Sequence, residues 1–194
     1  MKLQDLTLKE FLEKTASNDA VPGGGCSSAL LAAIAASLTE MVAKLTIGRK
    51  KYSDVEERMK EIAMIMSENR AQFINDIDRD AVSYQLVMDA YQLPKNSDEE
   101  IAQRNRKIQH ATKIASYIPM SIAQRAYCMK DLIKETIQKG NINANSDGKV
   151  GLLACEAAIK GSLLNVRINL ENIDDEEFVY YMTEKCNEIE NNTF

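Results

Sequence analysis

The chain has 194 residues, with 24 basic and 29 acidic side chains and a formal net charge of −5. Its 45 % apolar content excludes general disorder, and its acidic balance argues against nucleic-acid binding, which needs a basic face. Three prolines and eight glycines are too few for a turn-rich β sandwich or barrel, and the length predicts one domain, 1–194.

Helical periodicity runs through the whole chain. The start, MKLQDLTLKEFLEK, mixes charged and apolar residues and lacks the continuous apolar run of a secretory signal. Thr7 and Glu10 have capping-box spacing, which predicts a short helix to about Ala16. Pro22-Gly23-Gly24-Gly25 then opens an apolar helix ending near Gly48, crowded with alanine and serine in its first half. Cys26 to Ile47 is long enough to cross a bilayer, but Glu40, Lys44 and several hydroxyls point to a buried helix at the centre of the fold and to no membrane contact. A very long helix follows from Ser53 to Tyr91, roughly 58 Å if unbroken. Leu93-Pro94-Lys95-Asn96 ends it, and Ser97 with Glu100 caps a helix running towards Pro119. Pro119 suits the first turn of a further helix, which Gly140 closes. Asn141 to Gly148 reads as loop, after which one helix reaches about Leu170 and a last one follows Asp174, supported by Glu177. The expected fold is an all-α helical bundle built around a long central helix and a buried small-residue helix.

The long helix carries an anomaly. At 100° per residue from Val55, the side chains of Met59, Ile62, Met66, Phe73, Ile77, Tyr84 and Tyr91 fall within about 40° of one line, the expected core face. Asp80 lies on that line at about −20°, Asp76 at its edge one turn away, and Asp78 about 140° off, where it should be solvated. A carboxylate on a core stripe costs several kcal/mol unless it is paired, hydrogen-bonded or protonated. Burial and the charge of Asp76 would both raise its pKa, the direction wanted in a general acid or base near neutrality. A structural acid bonded to a neighbouring helix fits the same pattern.

The four-residue turn from Pro22 through Gly23 and Gly24 to Gly25 offers backbone N–H groups and the positive end of a helix to a ligand, or serves as a plain flexible cap. Arg49, Lys50 and Lys51 complement the far end of the same helix, or hold a carboxylate-rich ligand tail. In the later helix Gly151, Ala154, Ala158, Gly161, Asn165 and Asn169 share one side, where small residues allow close packing and two amides could read a polar heterocycle. Asn145-Ser146-Asp147 would cap that helix. The four cysteines (Cys26, Cys128, Cys155, Cys186) lie far apart and His110 is the lone histidine, so no zinc pattern exists. Free thiols in a reducing cytoplasm are expected, with no metal.

Taken in order, Val21-Pro22-Gly23-Gly24-Gly25, Leu45-Thr46-Ile47-Gly48-Arg49-Lys50, Asp78-Arg79-Asp80-Ala81, Leu93-Pro94-Lys95, Ser146-Asp147 and Asn165-Val166-Arg167-Ile168-Asn169-Leu170 resemble the formimidoyltetrahydrofolate cyclodeaminase family, over roughly residues 5–190. Some bacterial members of that family are methenyltetrahydrofolate cyclohydrolases. The resemblance implies an all-helical domain that forms a homodimer, needs no cofactor and binds a reduced, polyglutamylated folate. It matches the family's catalytic aspartate to Asp80, and its substrate-binding set to Pro22, Gly23, Gly24, Gly25, Arg49, Lys50, Asp147, Asn165 and Asn169. The implied reaction cyclises 5-formiminotetrahydrofolate to 5,10-methenyltetrahydrofolate with release of ammonia. A cyclohydrolase using the same pocket and a non-catalytic folate-binding module are the alternatives. No formiminotransferase domain precedes the match, so a separate formiminotransferase is the expected partner. Cys26 departs from the family, where serine or alanine is commoner.

Overall fold

The computed structural model describes residues 2–193. These contain no strand and six α-helices: α1 (Leu8–Thr15), α2 (Gly24–Thr46), α3 (Glu56–Tyr91), α4 (Asp98–Lys139), α5 (Asn145–Leu170) and α6 (Glu176–Thr193). Short 3₁₀ turns lie at Leu3–Asp5, Lys50–Tyr52 and Ile142–Ala144. Helices α2 to α5 pack in a ring, α2 on α3 and α5, and α4 on the same two. Their short connections make each antiparallel to the one before, so they form an up-down-up-down four-helix bundle. Helix α6 covers α4 and α5.

Small side chains decide how closely these helices approach. Cys26, Ala29, Ala32, Ala35 and Ala36 of α2 are wholly buried. A Cβ on Gly161 of α5 would lie 2.4 Å from Ser28 Oγ, so the two backbones meet where only glycine fits. Around this seam the larger core side chains close in: Met59, Ile62, Met66 and Phe73 from α3, with Ile122, Met129 and Ile133 from α4. Full burial of each contributes about 1.5–3 kcal/mol.

Several local expectations change. The capping box of Thr7 and Glu10 is present, but α3 begins at Glu56 rather than Ser53, because residues 53–55 continue the preceding 3₁₀ segment as a turn in which the Val55 N–H bonds the Tyr52 carbonyl. Helix α4 runs unbroken through Pro119. The proline removes the N–H that would bond the Ala115 carbonyl one turn back, and Asn169 Nδ2 of α5 supplies that donor at 2.9 Å. Asn141–Gly148 is mostly helical: Asn141 caps a 3₁₀ turn and α5 already starts at Asn145, whose Nδ2 bonds the Ile137 carbonyl. Asp175, not Asp174, caps α6 by accepting the Phe178 N–H at 3.0 Å, because the helix starts at Glu176, one residue later than expected. Asp78 is not simply solvated, for it accepts the Leu3 N–H at 2.7 Å and ties the amino-terminal turn to α3.

The unequal helix lengths create the site. At 1.5 Å per residue α2 and α5 span about 33 and 38 Å, whereas α3 and α4 reach about 53 and 62 Å. The α3–α4 pair therefore projects past the start of α2 as an arm, held by a small apolar cluster of Ala90, Ile108, Ala111 and Val87.

Candidate active site

Where the arm leaves the bundle, a cavity of about 390 Å³ opens between the start of α2, the later turns of α3, the middle of α4 and the end of α5. This volume lies in the range of small-molecule sites. Gly23, Gly24 and Gly25 form its floor, Asp80 lines one wall, and Asn165 with Asn169 lines the opposite one.

Helix α2 begins without a side-chain cap, because its N-cap is Gly23. The carboxylate of Asp80 takes that place from the neighbouring helix. Its Oδ2 accepts the Cys26 S–H at 3.2 Å, and a Cβ on Gly25 would lie only 2.2 Å from Oδ1. Glycine at 25 is thus what lets the acid rest on the helix end. Burial pushes the Asp80 pKa up, the Cys26 thiol and backbone N–H pull it down, and the like charge of Asp76 raises it again, for a net rise. The Cys26 thiol is itself pushed up to about 12 by burial and by Asp80, so it stays protonated and donates.

Asp76, expected at the edge of the stripe, is completely buried. Its Oδ1 accepts from Gln72 Nε2 at 2.9 Å and Arg79 Nη1 at 2.5 Å, while Oδ2 has no hydrogen-bond partner among the described residues. Asp80 is the more accessible of the two, since it opens on the cavity.

The amides of α5 have their N–H groups committed. Asn165 Nδ2 bonds the Gly161 carbonyl at 2.7 Å and its side chain rests on Gly24, while Asn169 Nδ2 serves the Ala115 carbonyl. Both Oδ1 atoms are without a protein donor among the described residues, which suits a ligand that presents N–H groups.

The structure does not bring the whole sequence-derived set together. Pro22 is buried beside the glycines but does not line the cavity. Arg49 and Lys50 lie at the other end of α2, roughly 33 Å away. There Arg49 Nε donates to the Leu45 carbonyl at 2.7 Å, the capping geometry of a helix carboxyl end. Asp147 sits in the first turn of α5 at that same far end. Tyr84 and Tyr91, placed by periodicity in the core, are 37 % and 45 % exposed and line the cavity, because α3 has outrun the helices that cover it lower down. Thr112 and Ala115 of α4 also reach the wall, and nothing local in the sequence marks them. Among the described residues no group of three or more His, Cys, Asp or Glu side chains is placed to hold a metal.

Residues 7–188 match the family model described as formiminotransferase-cyclodeaminase. The chain belongs to this family. A methenyltetrahydrofolate cyclohydrolase of Methylorubrum extorquens is 38 % identical over 172 residues, covering 89 % of this chain and 83 % of that protein. The formimidoyltransferase-cyclodeaminase of Rattus norvegicus is 31 % identical over 91 % of this chain, which spans about a third (32 %) of the rat protein's length. The crystal structure of a formiminotetrahydrofolate cyclodeaminase from Thermotoga maritima superposes with a TM-score of 0.88 at 32 % identity, covering 99 % of this chain and 92 % of that one. The named relatives of this family member are thus folate one-carbon enzymes, and the chain shares the all-α fold of the Thermotoga maritima structure.

Proposed function

We propose that the chain acts as one cyclodeaminase-like domain that closes 5-formiminotetrahydrofolate to 5,10-methenyltetrahydrofolate and releases ammonia. The observation that carries the proposal is the Asp80 carboxyl, seated on Gly25 at the floor of a ligand-sized cavity with its pKa raised. The likeness to the Thermotoga maritima cyclodeaminase over nearly both full lengths supports it.

In this reaction N10 of the protonated substrate attacks the formimino carbon, giving a tetrahedral carbon that bears an NH2 group and a protonated N10. Asp80 takes the N10 proton as carboxylate and returns it to the NH2 group, which leaves as ammonia while the N5–C–N10 methenyl cation forms. The acid ends in the state in which it began, and atoms and charge balance. An acid with a raised pKa suits such a shuttle better than an ordinary surface aspartate. The glycine turn and the Asn165 and Asn169 Oδ1 acceptors hold pterin and linker, and holding N10 against the carbon supplies much of the acceleration. The substrate is a polyglutamylated folate, the working form is a homodimer in the cytoplasm, and a formiminotransferase supplies the substrate.

One observation favours a second reading: the relative at 38 % identity is named a methenyltetrahydrofolate cyclohydrolase. There the same carboxylate takes a proton from water as it adds to the methenyl carbon. Supplying the purified protein with each substrate separates the two. Growth of the methenyl absorbance with ammonia release supports cyclodeaminase, loss of that absorbance supports cyclohydrolase, and consumption of neither rejects both.

A further inference from the structure

Every side-chain hydroxyl of α2 turns back on its own helix. Ser27, Ser28, Ser37, Thr39 and Thr46 each donate to the carbonyl four residues earlier, at 2.7–2.8 Å. The thiol of Cys26 does not follow them. Wholly buried in the first turn, it crosses to α3, where Sγ lies 3.2 Å from Asp80 Oδ2 and 3.4 Å from the Ile77 carbonyl oxygen. A thiol has one hydrogen, so it serves one of these acceptors at a time. The Ile77 carbonyl, already used once in the ladder of α3, keeps a second lone pair for it. Turning about the Cβ–Sγ bond carries the hydrogen from one acceptor to the other while the sulfur stays still. Cys155 makes the contrast: it is also wholly buried, but its thiol has a single acceptor, the Ala126 carbonyl at 3.2 Å.

We propose that Cys26 is a positioning residue for the proton step at Asp80: its S–H lies on Oδ2 while the acid is ionised and turns to the Ile77 carbonyl while Asp80 holds the proton. A carboxylate is a stronger acceptor than a peptide carbonyl, and it loses that advantage once protonated. The swing leaves no buried donor unmade in either state. No heavy atom has to move, which matters on a floor so tightly packed that a Cβ on Gly25 would not fit. The thiol keeps its hydrogen throughout. The proton that Asp80 gains comes from N10 and leaves on the departing nitrogen, so none passes to or from sulfur. Burial alone would hold the acid in its neutral form, and the S–H supports the charged one, which keeps both states of the shuttle within reach. The other groups around Asp80 do not do this. On α3, Asp76 pushes in the same direction as burial and is itself bonded by Gln72 and Arg79, while Asp78 accepts from Leu3. Helices α4 and α5 turn only neutral side chains to the cavity, and the remaining titratable groups on its wall are the phenols of Tyr84 and Tyr91. The consequence for turnover rests on the proposed function, whereas the two positions of the hydrogen do not.

Raman spectroscopy reads the hydrogen directly, because the S–H stretch falls where proteins have no other band and moves with the strength of the hydrogen bond. As the wild-type protein is taken from neutral to acid pH, one S–H component should shift to the position of a weaker hydrogen bond while the Cys155 component stays fixed. Asp80→Asn should abolish that shift. Cys26→Ala should remove the component and move the acid limb of the kcat profile to higher pH by about one pH unit, the worth of one hydrogen bond to the charged form. Its KM should change little. A component that stays put in the wild type would overturn the inference, as would a shift that survives Asp80→Asn. So would a Cys26→Ala enzyme whose acid limb is unmoved, whether its activity is unchanged or lowered equally at every pH. Should Cys26→Ala fail to fold, the wild-type and Asp80→Asn spectra decide the matter alone. If the protein consumes neither folate, the proposed function fails and the titrating band still decides whether the hydrogen follows Asp80.

Discussion

Asp80 stands over Gly25 with no room for a methyl group between them: a Cβ at position 25 would lie 2.2 Å from Oδ1 and 2.5 Å from the carboxyl carbon. Gly25→Ala should therefore push the carboxyl off the helix end while the rest of α2 stays folded. Misplacement by about 1 Å costs on the order of 10² in turnover. Gly24→Ala should be milder, since its nearest neighbour is the Asn165 amide at 3.1 Å. Parallel kcat and melting measurements check this, and equal activity losses in the two variants would contradict the assigned geometry.

Asp80→Asn should fold and bind folate but lose on the order of 10²–10⁴ in kcat, the usual worth of a positioned acid/base. Its stability carries a sign. Because the folded-state pKa is raised, the stability linked to the protonated acid is present below the ordinary carboxylate pKa and is lost as pH rises through the folded value. At neutral pH the Asn variant should melt no lower than the parent, and the difference should shrink in acid. A variant that melts well below the parent at pH 7 would show that the charged form supports the fold.

Asp76 offers a test of the source of that shift. Replacing it with Asn removes a like charge one turn from Asp80, so the acid limb of the kcat profile should move to lower pH. An unmoved limb would leave burial as the whole cause.

The carbonyl of Ala115 gives a prediction about structure. Asn169→Ala removes the donor that stands in for the N–H missing at Pro119 and should cost about 1–3 kcal/mol, the price of an unpaired polar group. Pro119→Ala restores a backbone donor, so Asn169→Ala should cost clearly less in that background. Urea unfolding of the four proteins as a double-mutant cycle measures the coupling.

Gly161 and Ser28 form a second cycle. Gly161→Ala places a Cβ 2.4 Å from Ser28 Oγ and should destabilise by about 1–3 kcal/mol through overpacking. Adding Ser28→Ala removes the clashing oxygen, leaving the nearest atom at 3.6 Å, and should recover most of the loss.

Much of this molecule is written locally in its sequence. Apolar residues at helical spacing set the core faces of α3 and the small-residue character of α2, Thr7 and Ser97 mark helix starts, and an acid on the apolar line of α3 is visible at Asp80. Such signals survive because they depend on residues three or four apart in one helix. Tertiary structure alone decided the rest. Periodicity names the face of a helix but not what covers it, so Tyr84 and Tyr91 share the core line of α3 although α2 and α5 end before they can bury them. The orphan carbonyl created by Pro119 is satisfied from Asn169, 54 residues from Ala115, and without that donor a break in α4 was the simpler expectation. Spacing along the chain likewise could not tell that Arg49, Lys50 and Asp147 stand a full helix length from Asp80, because antiparallel packing assigns each helix end to one pole of the bundle.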